Sequence, residues 1–475
     1  MRLPWCYAKI RLKDNVFTDI IINVKEKDKF RGDIMAELSI YKGLLSHREK
    51  GLSSFHTPGH KCSDILPQEL LRLDFTELPD TDSLYEADGI IRNTEKRLER
   101  LFGTKRTLIS SGGCTLAIQT MLTLAARHGK KILFARNIHR SAVNTCVLTG
   151  LEPVWIIPQS DSAFFTGRIT AEDADRAFSE NTDAAALYVT SPDYYGEISD
   201  IKGLAEVCHK YGKLLLVDNA HGSHLAFGSE NLHPIALGAD MSACSLHKTL
   251  PVLTGGAVLN IADEECAEHA KQTMALFGST SPSYIVMASI DICCDYLESR
   301  SNEYSMLEER VEKIKSLAAE RGLVMPSGLC DPLRVCINTS CAGISSNGQT
   351  EYFHSFNIEP EFCDGDNAVF ICTPFNSEKD FERLESAVGS LCGNGRNRMP
   401  EKIFLPERVM MPGEAVFSKT KRVAVRNSYG LVSAESACPC PPGVPVVMPG
   451  ERIDENVIES LCRYGICDIL CCADT

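Results

Sequence analysis

The chain has 475 residues, 44% of them hydrophobic, enough to bury more than one domain core. Its net charge of -14 and pI near 5.4 speak against nucleic-acid or anionic-membrane binding driven by overall charge. No long apolar run reads as a membrane span, and the N-terminus lacks the pattern of a signal peptide, so a cytoplasmic protein is expected.

The 21 cysteines are odd in number and irregular in spacing, which reads as reduced thiols and not as a disulfide framework. Cys438, Cys440, Cys462, Cys467, Cys471 and Cys472 crowd the tail without a paired C-x-x-C spacing, and no metal is expected.

Residues 1–34 mix charged and β-branched types without a partner and are expected to be an extension outside the fold, with Met35 as the true start. Met35-Ala-Glu-Leu-Ser opens a helix-like stretch in which Leu38, Tyr41, Leu44 and Leu45 are apolar. Phe55–Lys61 is a loop turning at Pro58-Gly59. A helix is predicted from an N-cap at Thr94 to Gly103.

From Arg106 the pattern alternates. Strands are predicted at Arg106–Ile109, Lys131–Phe134, Val154–Ile157, Ala184–Val189 and Leu214–Asp218. Helices are predicted between them, at Leu116–His128, after the loop Arg136–Ser141, at Ala171–Phe178 and at Ile201–Tyr211. Such alternation implies an α/β fold with a mostly parallel sheet and helices on both faces. Further on, Gly256–Ile261 ends a strand, Asp263–Phe277 and Met306–Arg321 read as helices, and Arg334–Ile337, Ala368–Ile371 and Lys379–Val388 suit a smaller α+β domain. The expected organisation is a major domain at 35–290, a small domain at 291–392 and, past the turn-rich Cys392–Pro400, a C-terminal domain at 393–475.

Parallel sheets bind ligands beyond the carboxyl ends of their strands. Ser111-Gly112-Gly113, His139, Thr190-Ser191, Asp218-Asn-Ala220-His221 and Lys248 all follow predicted strands. A lysine about thirty residues beyond a strand-end aspartate suggests pyridoxal phosphate. The amine would form a Schiff base, and the carboxylate would keep the pyridine nitrogen protonated so that the ring accepts electrons. Ser111-Gly112-Gly113-Cys114-Thr115, opening a helix, would offer amides to a phosphate. His139 would stack on one ring face and Ala220 leave room at the other, with a cationic partner expected for Asp218. Ser245 and His247 would hold the phosphate or the reacting groups. Each residue has a plainer role as well: a surface lysine, a simple turn, a solvated histidine, a capping aspartate.

In order along the chain stand His56-Thr-Pro-Gly-His-Lys61, Thr76-Glu-Leu-Pro79 with Asp82-Ser-Leu84, Asp218-Asn-Ala-His221-Gly, Ser245-Leu-His-Lys-Thr-Leu-Pro251, and Pro439-Cys-Pro-Pro-Gly443 with Pro449-Gly-Glu451. Together they resemble the bacterial ornithine/lysine/arginine decarboxylase family, a branch of the aspartate-aminotransferase-like, fold type I, pyridoxal-phosphate enzymes, and most of all its short Bacillus-type arginine decarboxylases. The resemblance spans about residue 36 to about 455. It implies Lys248 as the Schiff-base lysine, Asp218 as the pyridine partner and His139 as the stacking group, with His221 and His247 near cofactor and substrate. It departs at Gly112-Gly113-Cys114, where the family has Gly-Ser-Thr, at Gly255-Gly256 after Thr254, at Cys440 for Tyr and at Asn219 for Glu.

The implied reaction is decarboxylation of a basic amino acid, arginine ahead of lysine and ornithine, in polyamine biosynthesis. A proton returns to the α-carbon from Lys248 or a histidine and the amine departs, and the enzyme is a homodimer or higher homo-oligomer with the acidic stretch Asp80–Asp88 near the site. Another fold type I reaction (aldolase, desulfurase or aminotransferase) and a catalytically degenerate relative acting as a partner subunit remain alternatives.

Overall fold

The computed structural model describes residues 39–49, 72–159, 167–393, 405–438 and 445–474. The expectations placed on residues 1–34, on Met35, on His56–Lys61 and on Pro439–Gly443 lie outside these.

Seven strands form the main sheet: β1 (Arg106–Ser110), β2 (Lys131–Ala135), β3 (Glu152–Ile156), β4 (Ala186–Thr190), β5 (Leu214–Asp218), β6 (Met241–Cys244) and β7 (Ala257–Ile261). Their spatial order is β1-β7-β6-β5-β4-β2-β3. The strands run parallel except β7, which is antiparallel to both β1 and β6. Residues alternate between the two faces, as a pleat requires. Phe134, Tyr188 and Leu216 turn to one core, which they share with Ile118, Val143 and Met274. Leu133, Leu187, Leu215 and Val217 turn to the other, against Phe178, Leu204 and Cys208.

Among the described residues the helices are α1 (Ile40–Glu49), α2 (Ile90–Phe102), α3 (Gly113–Ala125), α4 (Arg140–Thr149), α5 (Ala171–Glu180), α6 (Ile201–Lys210), the single turn α7 (Leu246–Thr249), α8 (Glu264–Ala275), α9 (Tyr284–Arg300), α10 (Asn302–Glu320), α11 (Gln349–Ser355), α12 (Glu378–Gly389), α13 (Pro412–Val416) and α14 (Glu455–Arg463). Helices α3, α4 and α8 cover one face of the sheet, and α5 and α6 the other. A third core joins α1, α2, α9 and α10 to a three-stranded antiparallel sheet of β8 (Arg334–Asn338), β10 (Asn367–Ile371) and β9 (Phe362–Cys363). Beyond it, β11 (Thr420–Ala424) pairs antiparallel with β12 (Asp468–Cys472), and Ile469 packs with Val457 and Leu461 of α14. Among the described residues no helix is long and apolar enough to cross a membrane.

Three departures from the sequence-based expectation have physical causes. Helix α2 begins at Ile90, so Thr94 lies inside it, and its hydroxyl bonds back to the Ile90 carbonyl and across to Asp291. Its first-turn amides are capped by a distant carboxylate instead. Asp82, itself at φ 68°, accepts from the Gly89 and Ile91 N–H at 2.9 Å and from the Ser83 N–H at 2.9 Å. The buried helix α9, whose apolar residues run round most of its circumference, has no amphipathic signature and was not anticipated. The reversal of β7 leaves no mark in its composition, because a buried strand reads the same in either direction.

Asp82→Ala is therefore expected to lower stability by about 1–2 kcal/mol, the usual cost of losing a helix cap. The denaturant midpoint of the variant against the wild type measures it; an unchanged midpoint would show that the chain holds α2 without the carboxylate.

Candidate active site

The carboxyl ends of β2, β4, β5 and β6 and the start of β8 meet at one edge of the main sheet. Lys248 sits in α7, on the excursion between β6 and β7, with Nζ 2.8 Å from Nε2 of His221. Tyr194, in the loop after β4, closes over the pair: its ring centroid is 4.8 Å from that of His221 and 5.9 Å from Lys248 Nζ. Burial lowers the Lys248 pKa, and Arg334 adds to this, whereas Asp218, Cys114 and Glu361 oppose it. Burial, with the neighbouring Lys248 and Arg334, also drives His221 well below the ordinary histidine range, so its ring is neutral.

Asp218 ends β5 and is buried. It accepts hydrogen bonds from the Tyr188 hydroxyl and the Ala220 N–H, each at 3.1 Å. Burial and the adjacent carboxylate push the Tyr188 phenol well up, so it remains a donor. Among the described residues no lysine, arginine or histidine forms an ion pair with Asp218, so the cationic partner expected from sequence is not among them. Beside it in register, Thr190 ends β4 with a buried hydroxyl that has no partner among the described residues.

His139 caps α4, its Nδ1 accepting from the Ser141 N–H at 3.2 Å. Burial lowers its pKa against the pull of Asp218, which leaves a neutral, flat ring at the site. The Ser111–Thr115 stretch forms the start of α3, with Gly113 at φ 70° and its N–H donated to the Gly255 carbonyl at 2.9 Å. Gly112 and Thr115 are exposed, and the Cys114 thiol is buried within hydrogen-bonding reach of Ser245. Burial, with Asp218 near, raises the Cys114 thiol well above the usual value, so it is an uncharged group. His247 is placed differently from its neighbours, because its Nδ1 is tied to the Gly256 carbonyl at 2.9 Å.

An arginine also reaches this edge, which the sequence left open. Arg334, the first residue of β8, donates through Nη1 to the Tyr194 carbonyl at 3.0 Å and to Nδ1 of His221 at 3.2 Å, and through Nη2 to the His221 carbonyl at 3.2 Å. Behind it lies Asp331, whose Oδ2 is 3.6 Å from Arg334 Nε and whose Oδ1 accepts from His224 at 2.8 Å. Arg334, Tyr188 and Tyr194 had no signal in the sequence as site residues: two lie in strands that read as core, and the third in a turn.

Burial alone would raise the Asp331 carboxyl, but His224 and Arg334 outweigh it and hold the pKa at about 2. A carboxylate depressed from 3.8 contributes stability in full above that unfolded value and loses it as pH falls toward 2. Asp331→Asn is expected to flatten this part of acid denaturation, by about 2 kcal/mol between pH 5 and pH 2. Unfolding free energies measured across that range would contradict this if the two proteins kept the same slope.

These residues suit the expected cofactor on their own chemistry. A buried carboxylate with no ion-paired cation and a buried hydroxyl with no partner among the described residues, a deprotonatable half-buried amine and a neutral flat ring lie together at the strand ends, next to the amides of a helix start.

Comparison with known proteins agrees with this geometry. Residues 39–325 match the family model for the Orn/Lys/Arg decarboxylase major domain, and residues 396–464 that for its C-terminal domain. The chain is 29% identical over 452 residues to an arginine decarboxylase of Bacillus subtilis, covering 89% of this chain and 92% of that one. It is 27% identical to an arginine decarboxylase of Bacillus cereus, over 87% of this chain and 96% of that one. Among solved structures, the lysine decarboxylase LdcF of Francisella novicida superposes with a TM-score of 0.77 at 17% identity, covering 96% of this chain and 82% of that one. Lysine decarboxylase A of Pseudomonas aeruginosa gives the same TM-score, 0.77, over 92% and 80%. The fold is thus that of these α/β, fold type I enzymes. The chain belongs to the Orn/Lys/Arg decarboxylase family and is a decarboxylase of that family.

Proposed function

We propose that the protein removes the α-carboxylate of a basic amino acid as CO2 with pyridoxal 5'-phosphate as cofactor, that arginine is preferred over lysine and ornithine, and that the amine product feeds polyamine synthesis in the cytoplasm. The observation that carries the reading is the half-buried Lys248 amine, held against neutral His221 at the same strand edge as a buried Asp218 that has no ion-paired cationic side chain among the described residues. When bound, the cofactor supplies an electron sink for the pair released as the carboxylate leaves.

The residues of the chain then have distinct tasks. Asp218 would hold a proton on the ring nitrogen, steadied by Tyr188 and the Ala220 amide. His139 would lie against one ring face and Ala220 against the other. The α3 start, from Ser111 through Gly112, Gly113, Cys114 and Thr115, together with Ser245, would hold the phosphate. Its missing hydroxyls leave the remaining backbone amides, Thr115 and Ser245 as the donors, since the Gly112 and Gly113 N–H groups are already bonded within the protein. Lys248 and His221 are placed to move a proton at the reacting carbon, and burial under Tyr194 limits water. The exposed carboxylate of Glu361, close enough to act on Lys248, favours a substrate with a cationic far end. The names of the Bacillus relatives support arginine, and the family supports a homodimer or higher homo-oligomer.

Incubation with arginine, lysine and ornithine separately, following CO2 and amine, tests this. Arginine is expected to turn over fastest. A keto acid formed without CO2 would replace the proposal with aminotransfer, and a protein without the yellow absorbance of a lysine-bound cofactor would point to a degenerate relative.

A further inference from the structure

We propose that Arg334 is a positioning residue that fixes His221 in the tautomer carrying its proton on Nε2, so that His221 donates to Lys248 and, before the cofactor binds, the lysine stands as a free amine with its lone pair toward the ring. Its meaning for catalysis rests on Lys248 being the cofactor lysine; the tautomer itself does not.

A guanidinium has donors only and stays protonated in a protein. With Arg334 Nη1 at 3.2 Å, Nδ1 of His221 must present its lone pair. The single proton of the neutral ring is then on Nε2, the atom that faces Lys248 Nζ at 2.8 Å. An ammonium in that position would set N–H against N–H, so only the free amine makes the contact.

The arginine has little freedom to do otherwise. It grips the same histidine twice, at Nδ1 and at the backbone carbonyl, while Nη1 also donates to the Tyr194 carbonyl. Asp331 stands behind its Nε, and both residues are buried. From the other side the Tyr194 ring packs on the imidazole and hinders a flip. Asp218 and Glu361 pull the lysine toward the charged form, so the donor on His221 acts against them. Without the arginine, the ring is free to turn its lone pair to Lys248 and store the lysine as an ammonium.

Histidine-selective 15N labelling of the full-length, cofactor-free chain tests the proposal, with the His221 signals identified by their loss in His221→Gln. The wild type is expected to show Nε2 protonated and Nδ1 bare. Arg334→Leu is expected to shift His221 to the Nδ1–H form or the doubly protonated ring, and Arg334→Lys, which keeps a charge and a donor, to retain Nε2–H. In parallel, acylation of Lys248 by a limiting amine reagent, read by peptide mass spectrometry, is expected to fall about tenfold in Arg334→Leu, the effect of one pKa unit, and to recover in Arg334→Lys. A wild-type His221 protonated on Nδ1 overturns the proposal, even if the leucine variant fails to fold. So does an Arg334→Leu protein that keeps Nε2–H. A chain that shows the expected tautomer yet releases no CO2 from any basic amino acid refutes the decarboxylase reading and leaves this one standing.

Discussion

Lys248→Ala is expected to abolish the yellow absorbance of the cofactor-loaded protein and to lower kcat by on the order of 10^2- to 10^4-fold, the range expected when a positioned group that handles a proton is lost. The expectation follows from the amine's place: half-buried, 2.8 Å from a neutral histidine and roofed by an aromatic ring, it forms no ion pair with a carboxylate among the described residues that would make it a structural ion. Lys248→Arg serves as the companion, because it keeps a cation at the position but offers no nucleophilic amine. Both should fold, as circular dichroism and the unfolding midpoint would show. Turnover of either variant within about tenfold of wild type would remove Lys248 from the chemistry, since one tenfold step is only about 1.4 kcal/mol of barrier.

Glu451→Ala is expected to have the largest effect on stability. Glu451 meets Arg136 through both carboxylate oxygens, at 2.6 and 2.7 Å, and neither side chain is more than 1% exposed. The Glu451 carboxylate also accepts from the Met448 N–H at 2.8 Å, and Arg136 lies over the Trp155 ring. Removing the acid strands a buried guanidinium, which costs about 3–5 kcal/mol. Arg136 follows β2 and stands three residues before His139, so the loss is also expected to loosen the cofactor. A denaturant titration of the wild type and the variant checks the first effect, and the rate of cofactor release on dilution the second. A loss of stability below about 1 kcal/mol, the level of an exposed pair, would show that the pair is not closed to water.

Much of this was legible in the sequence, for reasons that can be named. The strands β2, β4 and β5 are short apolar runs closed by Gly or polar turns, and their ends gave His139, Thr190 and Asp218 directly. Lys248 was found by its distance from Asp218 and by the motif around it. What escaped was long-range. Arg334 lies 113 positions from His221 and opens a strand that reads only as a strand. Tyr188 looks like a core tyrosine, and only the register of β4 against β5 brings its hydroxyl to Asp218. Thr94 had the right residue type for a cap, yet Asp82 reached the helix start through a turn that no local pattern announces. His247 follows a strand end and so reads as a partner for the phosphate or the reacting groups, whereas the backbone ties its Nδ1 to the Gly256 carbonyl.

The reversal of β7 has a consequence for how the site is assembled. A parallel neighbour would need a long crossover to bring the chain back, but β6 and β7 pair antiparallel, Cys244 opposite Val258, and both ends of the Lys248 segment meet at the same edge. The lysine is therefore carried on the connection of a hairpin, with its anchors close together along the chain. Its carboxylate counterpart, Asp218, takes its hydroxyl donor from the strand β4, across the intervening helix α6. The amine is placed by a local closure, which costs little chain entropy, and its surroundings by distant ones, which cost more.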